Sequence, residues 1–112
     1  MTIDMQELLY EALSLPGRIE KAEGVLLKDH VRQRIAAENR MDDAKANCAA
    51  HAEGTNDLQR KAHISLATVS ERTLLQNAEE NEAHQRIIVE RLKRRHAALL
   101  VVLPLLAAKG EK

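Results

Sequence analysis

The chain has no tryptophan and no phenylalanine, and Tyr10 is its single aromatic residue. Aromatic side chains supply much of the buried area of compact cores, so burial here must be spread over many small contacts. One cysteine, Cys48, excludes an internal disulfide framework and suits a reducing compartment. Two prolines, four glycines and no period-two alternation leave no signal for strands or hairpins. The first residues are acidic rather than basic and then apolar, unlike a secretory leader. The longest apolar run, Ala97–Ala108, is twelve residues with Pro104 inside it; a membrane-spanning helix needs about 20. There is no glycine loop to cradle phosphate and no nucleophile elbow, so catalysis is not expected, and no cofactor is implied.

What is present is helix composition. The 112 residues are 45% apolar, mostly Ala, Leu, Ile and Val, and 30% charged, which points to long helices in one domain, 1–112. Apolar spacing predicts helices over 3–13, 15–52 and 57–103 with a turn at 53–56. Thr2 or Asp4 can cap the first. Pro16 either separates the first two helices or kinks one continuous helix. The second helix has a stripe of Ile19, Ala22, Leu26 or Leu27, Val31, Ile35, Met41, Ala44, Cys48 and Ala52, with Gly24 marking close helix approach. The third has Leu58, Ala62, Leu66, Val69, Thr73, Gln76, Ala83, Ile87, Leu92, Leu99 and Val102 or Leu103, at steps of three, four and seven. Glu82–Arg86 and Glu90–Arg94 are pairs expected on its solvated face.

A helix of 47 residues is roughly 70 Å long and needs a partner helix along most of its stripe. The expected fold is therefore all-α: an elongated antiparallel helical hairpin with a short N-terminal helix, coiled-coil-like, assembling into a multi-helix bundle. Residues 1–53 carry ten acids and seven bases, and residues 54–112 carry seven acids and ten bases; this layout favours antiparallel or intermolecular pairing of the halves, the alternative being chance segregation on solvated faces.

Four clusters invite chemistry. In "CAAHAEGTNDLQRKAH", Cys48, His51 and His63 could meet around a bend, with Glu53 or Asp57 as a fourth zinc ligand. A turn explains the stretch with fewer assumptions: Gly54 ends one helix, and Asn56 caps the next with Gln59 three residues on. The basic run Arg86, Arg91, Lys93, Arg94 and Arg95 could contact a partner or nucleic acid, but lacks aromatic neighbours to stack on bases. The apolar tail after it reads as an oligomer core of Ile87, Leu92, Leu99, Val102, Leu103 and Leu106, expected to be buried on several sides; lying on a membrane surface is the lesser alternative. Glu79, Glu80, Glu82 and His84 lack the second Glu-x-x-His copy that a bundle di-metal site requires. His30 is expected half-buried at the edge of its stripe.

The segment from residue 45 to 108, with Gly54, Asn56, Arg60, Ala62 and Leu66 in a helix–turn–long-helix layout, resembles small helical proteins encoded in bacteriophage or prophage early regions, near replication and recombination genes. That resemblance implies a phage context and supplies no catalytic residues. The function expected is that of a non-enzymatic helical interaction or scaffold protein in the cytoplasm, that of the host if phage-encoded. It would act as a homo-oligomer with a protein partner in replication, recombination or the host. The alternative is a DNA- or RNA-binding accessory protein using the basic C-terminal helix face.

Overall fold

A computed structural model describes residues 4–50 and 56–110, and among these the fold is all-α. The order is α1 (Met5–Val25), a π-helical segment (Leu26–Val31), α2 (Arg32–Ala50), α3 (Asp57–Ala67) and α4 (Val69–Gly110). Two predicted caps form. Asp4 Oδ1 accepts from the backbone N–H of Gln6 at 2.9 Å and of Glu7 at 3.3 Å. Asn56 Oδ1 accepts from Gln59 N–H at 2.8 Å. Each satisfies amides that a helix start leaves without a partner. Gly54 and the 53–55 part of the predicted turn lie outside the described residues.

Pro16 does not end a first, short helix. The helix runs through it, although proline removes the amide that would bond to Ala12 one turn back. Pro104 is likewise inside α4, which reaches Gly110 rather than stopping at 103. Irregularity falls instead where the sequence shows no proline. Between α1 and α2, buried or half-buried positions include 22, 26, 30, 34, 37 and 41, with 23–25, 31 and 38 also half-buried. Three successive steps of four exceed the 3.6 of an α-helix, and the wider π turn absorbs the difference. Between α3 and α4 the helix breaks at Thr68, whose Oγ1 donates to the Ile64 carbonyl at 2.8 Å. Such back-bonding from threonine bends helices.

The chain divides into two compact units, Met1–Leu26 with His84–Lys112, and Leu27–Ala83. In the first, α1 and the C-terminal part of α4 pack with opposite sense. Gln85 Nε2 donates to the Ala22 carbonyl at 3.1 Å, whereas Arg95 meets Glu11. Their core is Ala12, Leu15 and Leu99, flanked by Leu8, Leu92 and Leu103. In the second, α2 packs on α3, and Arg34 of α2 donates to Glu82 of α4.

The stripes expected from sequence are partly out of phase with burial. Ile35 is exposed, and its neighbours Arg34 and Ala37 face inward. On α3 and the start of α4, Leu58, Ala62, Leu66, Val69, Thr73, Gln76, Ala83 and Ile87 are exposed. The inward positions are Ile64, Thr68, Glu71, Leu75, Ala78 and Glu82. Glu82 is 6% exposed, not on a solvated face. The reason is the alanine-rich α2: the facing surface at Ala37 admits small or paired polar groups, so the larger aliphatic residues turn outward. Gly24 is not a point of close approach within its unit, since a Cβ there would meet nothing within 4 Å.

Candidate interaction surfaces

The basic run is held by α1. Arg95 places its guanidinium on both carboxylate oxygens of Glu11, at 2.7 and 2.9 Å. Lys93 Nζ lies 2.9 Å from Glu23. The Arg95 hydrogen bond, with the charges of Arg95 and Arg18, holds the Glu11 carboxyl below the usual carboxylate range; partial burial opposes this. The same partnerships raise Arg95 and Lys93 above their ordinary values, hydrogen bonding to the carboxylate first and its charge second. So two of the five predicted contact bases serve unit 1 internally. Arg91 and Arg94 are exposed and make no ion pair among the described residues. Arg86 is exposed and has a partner of its own.

The predicted oligomer core separates into three groups. Leu99 is buried inside unit 1, and Leu92, Leu103 and Leu106 are half-buried. Ile87 and Val102 are exposed, together with Leu100, Val101 and Leu105. The tail is thus not buried on several sides within the chain. Val102, Leu105, Leu106, Ala108 and Lys109 line an open hollow of about 440 Å³. On α1, Leu9, Tyr10 and Leu13 are also exposed. Leu8 and Ala12 turn inward, whereas their apolar neighbours Leu9 and Leu13 turn out, because one neighbouring helix covers only one side of α1. The acids that hold the basic run, Glu11 and Glu23, were also overlooked. Their signal was the excess of acid over base in the first 26 residues.

Unit 2 contains a second open space, about 330 Å³, lined by Gln33, Ala37, Arg40, Glu71, Asn77 and Asn81 among others. Its neighbour Arg34 bridges two carboxylates, Glu38 at 2.7 Å and Glu82. Hydrogen bonds to Glu38 and then Glu82 raise the Arg34 guanidinium above its ordinary value.

The remaining clusters stay apart. Cys48 is half-buried with a free thiol, and His63 is exposed; His51 and Glu53 lie outside the described residues. Among the described residues no three His, Cys, Asp or Glu side chains gather to hold a metal ion. Glu80 accepts from Gln76 at 3.3 Å, and His84 is exposed. His30 is half-buried, with Nδ1 enclosed and lacking a hydrogen-bond partner. No helix among the described residues is long and apolar enough to cross a membrane. Comparison with protein-family models, curated proteins and solved structures finds no match.

Proposed function

We propose that this chain is a non-enzymatic helical interaction protein that self-associates into a multi-helix bundle. The supporting observation is the apolar surface left open on unit 1: Leu9 and Leu13 on α1, with Leu100, Val101, Val102 and Leu105 on α4. Large apolar side chains exposed in this number on one pair of helices mark surfaces that a partner covers. The opposite sense in which α1 and α4 pack in unit 1 supports antiparallel, hairpin-like pairing with coiled-coil-like seams. The cellular setting is the cytoplasm, and the resemblance to phage early-region proteins makes a replication, recombination or host protein the expected further partner.

The test is solution mass as a function of concentration for the natural chain and for a Leu13→Glu, Val101→Glu variant. Self-association that weakens in the variant, with helix content unchanged by circular dichroism, supports the proposal. A natural chain of single-chain mass at all micromolar concentrations refutes it. Nucleic-acid binding by Arg86, Arg91, Lys93, Arg94 and Arg95 is less well supported, because Lys93 and Arg95 are engaged by α1 carboxylates. A gel shift that fades steeply with salt would revive it.

A further inference from the structure

α1 and α4 each carry a second edge that their mutual packing leaves open. On α1 it is Met5, Leu9, Leu13, Gly17, Glu20 and Gly24, at steps of three and four. All are exposed except the half-exposed Gly24. On α4 it is Ile87, Arg91, Arg94, Ala98, Val101 and Leu105, at alternating steps of four and three, all exposed. The α4 alternation is the spacing of a coiled-coil seam; the α1 edge, at steps of four, four, four, three and four, curves slowly round its helix. Neither edge finds a complement within unit 1.

The two edges are complementary to each other. Laid antiparallel, Met5 faces Leu105, Leu9 faces Val101 and Leu13 faces Ala98. Glu20 then meets Arg91, with Gly17 beside Arg94 and Gly24 beside Ile87. The apolar ends coincide, the charges oppose, and large side chains fall against small ones. This is also the sense and approximate register in which the same helices pair inside the unit, where Glu11 meets Arg95 and Ala22 meets Gln85. Charge favours the match more widely. Residues 4–26 carry five acids and two bases, and residues 84–110 carry one acid and six bases. Glu20, Arg91 and Arg94 make no ion pair among the described residues. Two helical glycines also gain a role. Each weakens the helix relative to alanine, and at each a Cβ would meet nothing within 4 Å. A second helix passing close over α1 would use that space.

We infer that the occupant of the open α1 edge is the α4 edge of a second copy of this chain, with Glu20 paired to Arg91 across the contact. This rests on the self-association proposed above and specifies its seam. The contact joins two different patches, so each copy offers one edge and receives the other.

Charge reversal tests it. Glu20→Arg and Arg91→Glu should each weaken association at least about tenfold in a sedimentation concentration series, since like charges then oppose across the seam. The double variant, Glu20→Arg with Arg91→Glu, should recover association to within about threefold of the natural chain, because the pair is restored in reverse. Circular dichroism confirms that helix content is unchanged. As a second measurement, a Leu13→Cys chain and an Ala98→Cys chain, both also carrying Cys48→Ser, are mixed with a short bifunctional maleimide. A cross-link between these two chains, absent when Tyr10→Cys replaces Leu13→Cys, supports the seam. Association that persists unchanged in both single reversals, or is not recovered in the double variant, overturns the seam while leaving self-association standing. A natural chain of single-chain mass overturns both.

Discussion

Leu15 is the residue on which unit 1 depends most. It is fully buried against Leu99, with no aromatic group to share the burial. Leu15→Ala should cost about 2–4 kcal/mol, read from urea unfolding monitored by circular dichroism; a change under about 0.5 kcal/mol, the usual scale of surface substitutions, would mean that this site is not core. Glu11 gives a pH signature. Its carboxyl is held down chiefly by Arg95, so the folded state binds this proton less readily than the unfolded chain. The stabilisation is therefore present above the ordinary glutamate range, near 4.3, and is lost as pH falls through the depressed folded value. Thermal melting should separate the natural chain from Glu11→Gln at neutral pH, with the gap closing towards pH 3. An unchanged gap across that range would show that Arg95 does not set it. The pair is partly exposed, and salt should narrow the gap at neutral pH.

At the scale of elements, the helices themselves were legible and their phase was less so. Asp4 and Asn56 announced two helix starts because capping is local chemistry. From Leu92 to Leu103 the inward stripe follows leucine, because large aliphatic residues there outcompete their neighbours for the buried face. Over 58–87 the same reasoning fails. The buried face is carried by Thr68, Ala78 and the Arg34-bound Glu82, residues whose size or charge gives no apolar signal. The π segment at Leu26–Val31 has no sequence mark either, since it arises from the need to hold burial at steps of four. Pro16 in sequence permits either a break or one continuous helix, and α1 passes through it, with Leu15 and Ala12 on the same buried face. Proline there is a cost that packing overrides. Pro16→Ala should stabilise the chain by about 2 kcal/mol: about 3 kcal/mol from the restored helix interior, less up to about 1 for the freer unfolded chain. A loss of stability on chemical denaturation would show instead that the native helix is built around the proline.

At the scale of the whole molecule, two units of different chemistry share one chain. The first has Leu15, Leu26, Val89 and Leu99 buried, whereas the buried set of the second is Ala37, Met41, Thr68, Ala78 and Glu82. Apolar burial of about 25 cal/mol per Å² favours the first. Hydrogen exchange should reflect this, with amides of α3 and the second half of α2 exchanging before those of residues 12–22 and 89–99. Equal protection in the two sets would contradict that ranking. The surface left open on unit 1 was partly legible, because an unbroken run from Leu99 to Leu103 cannot turn every side towards one neighbour. Which side is covered within the chain depended on α1, whose acids and second apolar edge only the folded pairing separates. The decisive measurement is sedimentation equilibrium of the natural chain across micromolar concentrations. A mass that rises above one chain with concentration is the predicted result. A mass of one chain throughout would contradict assembly through the open helix edges.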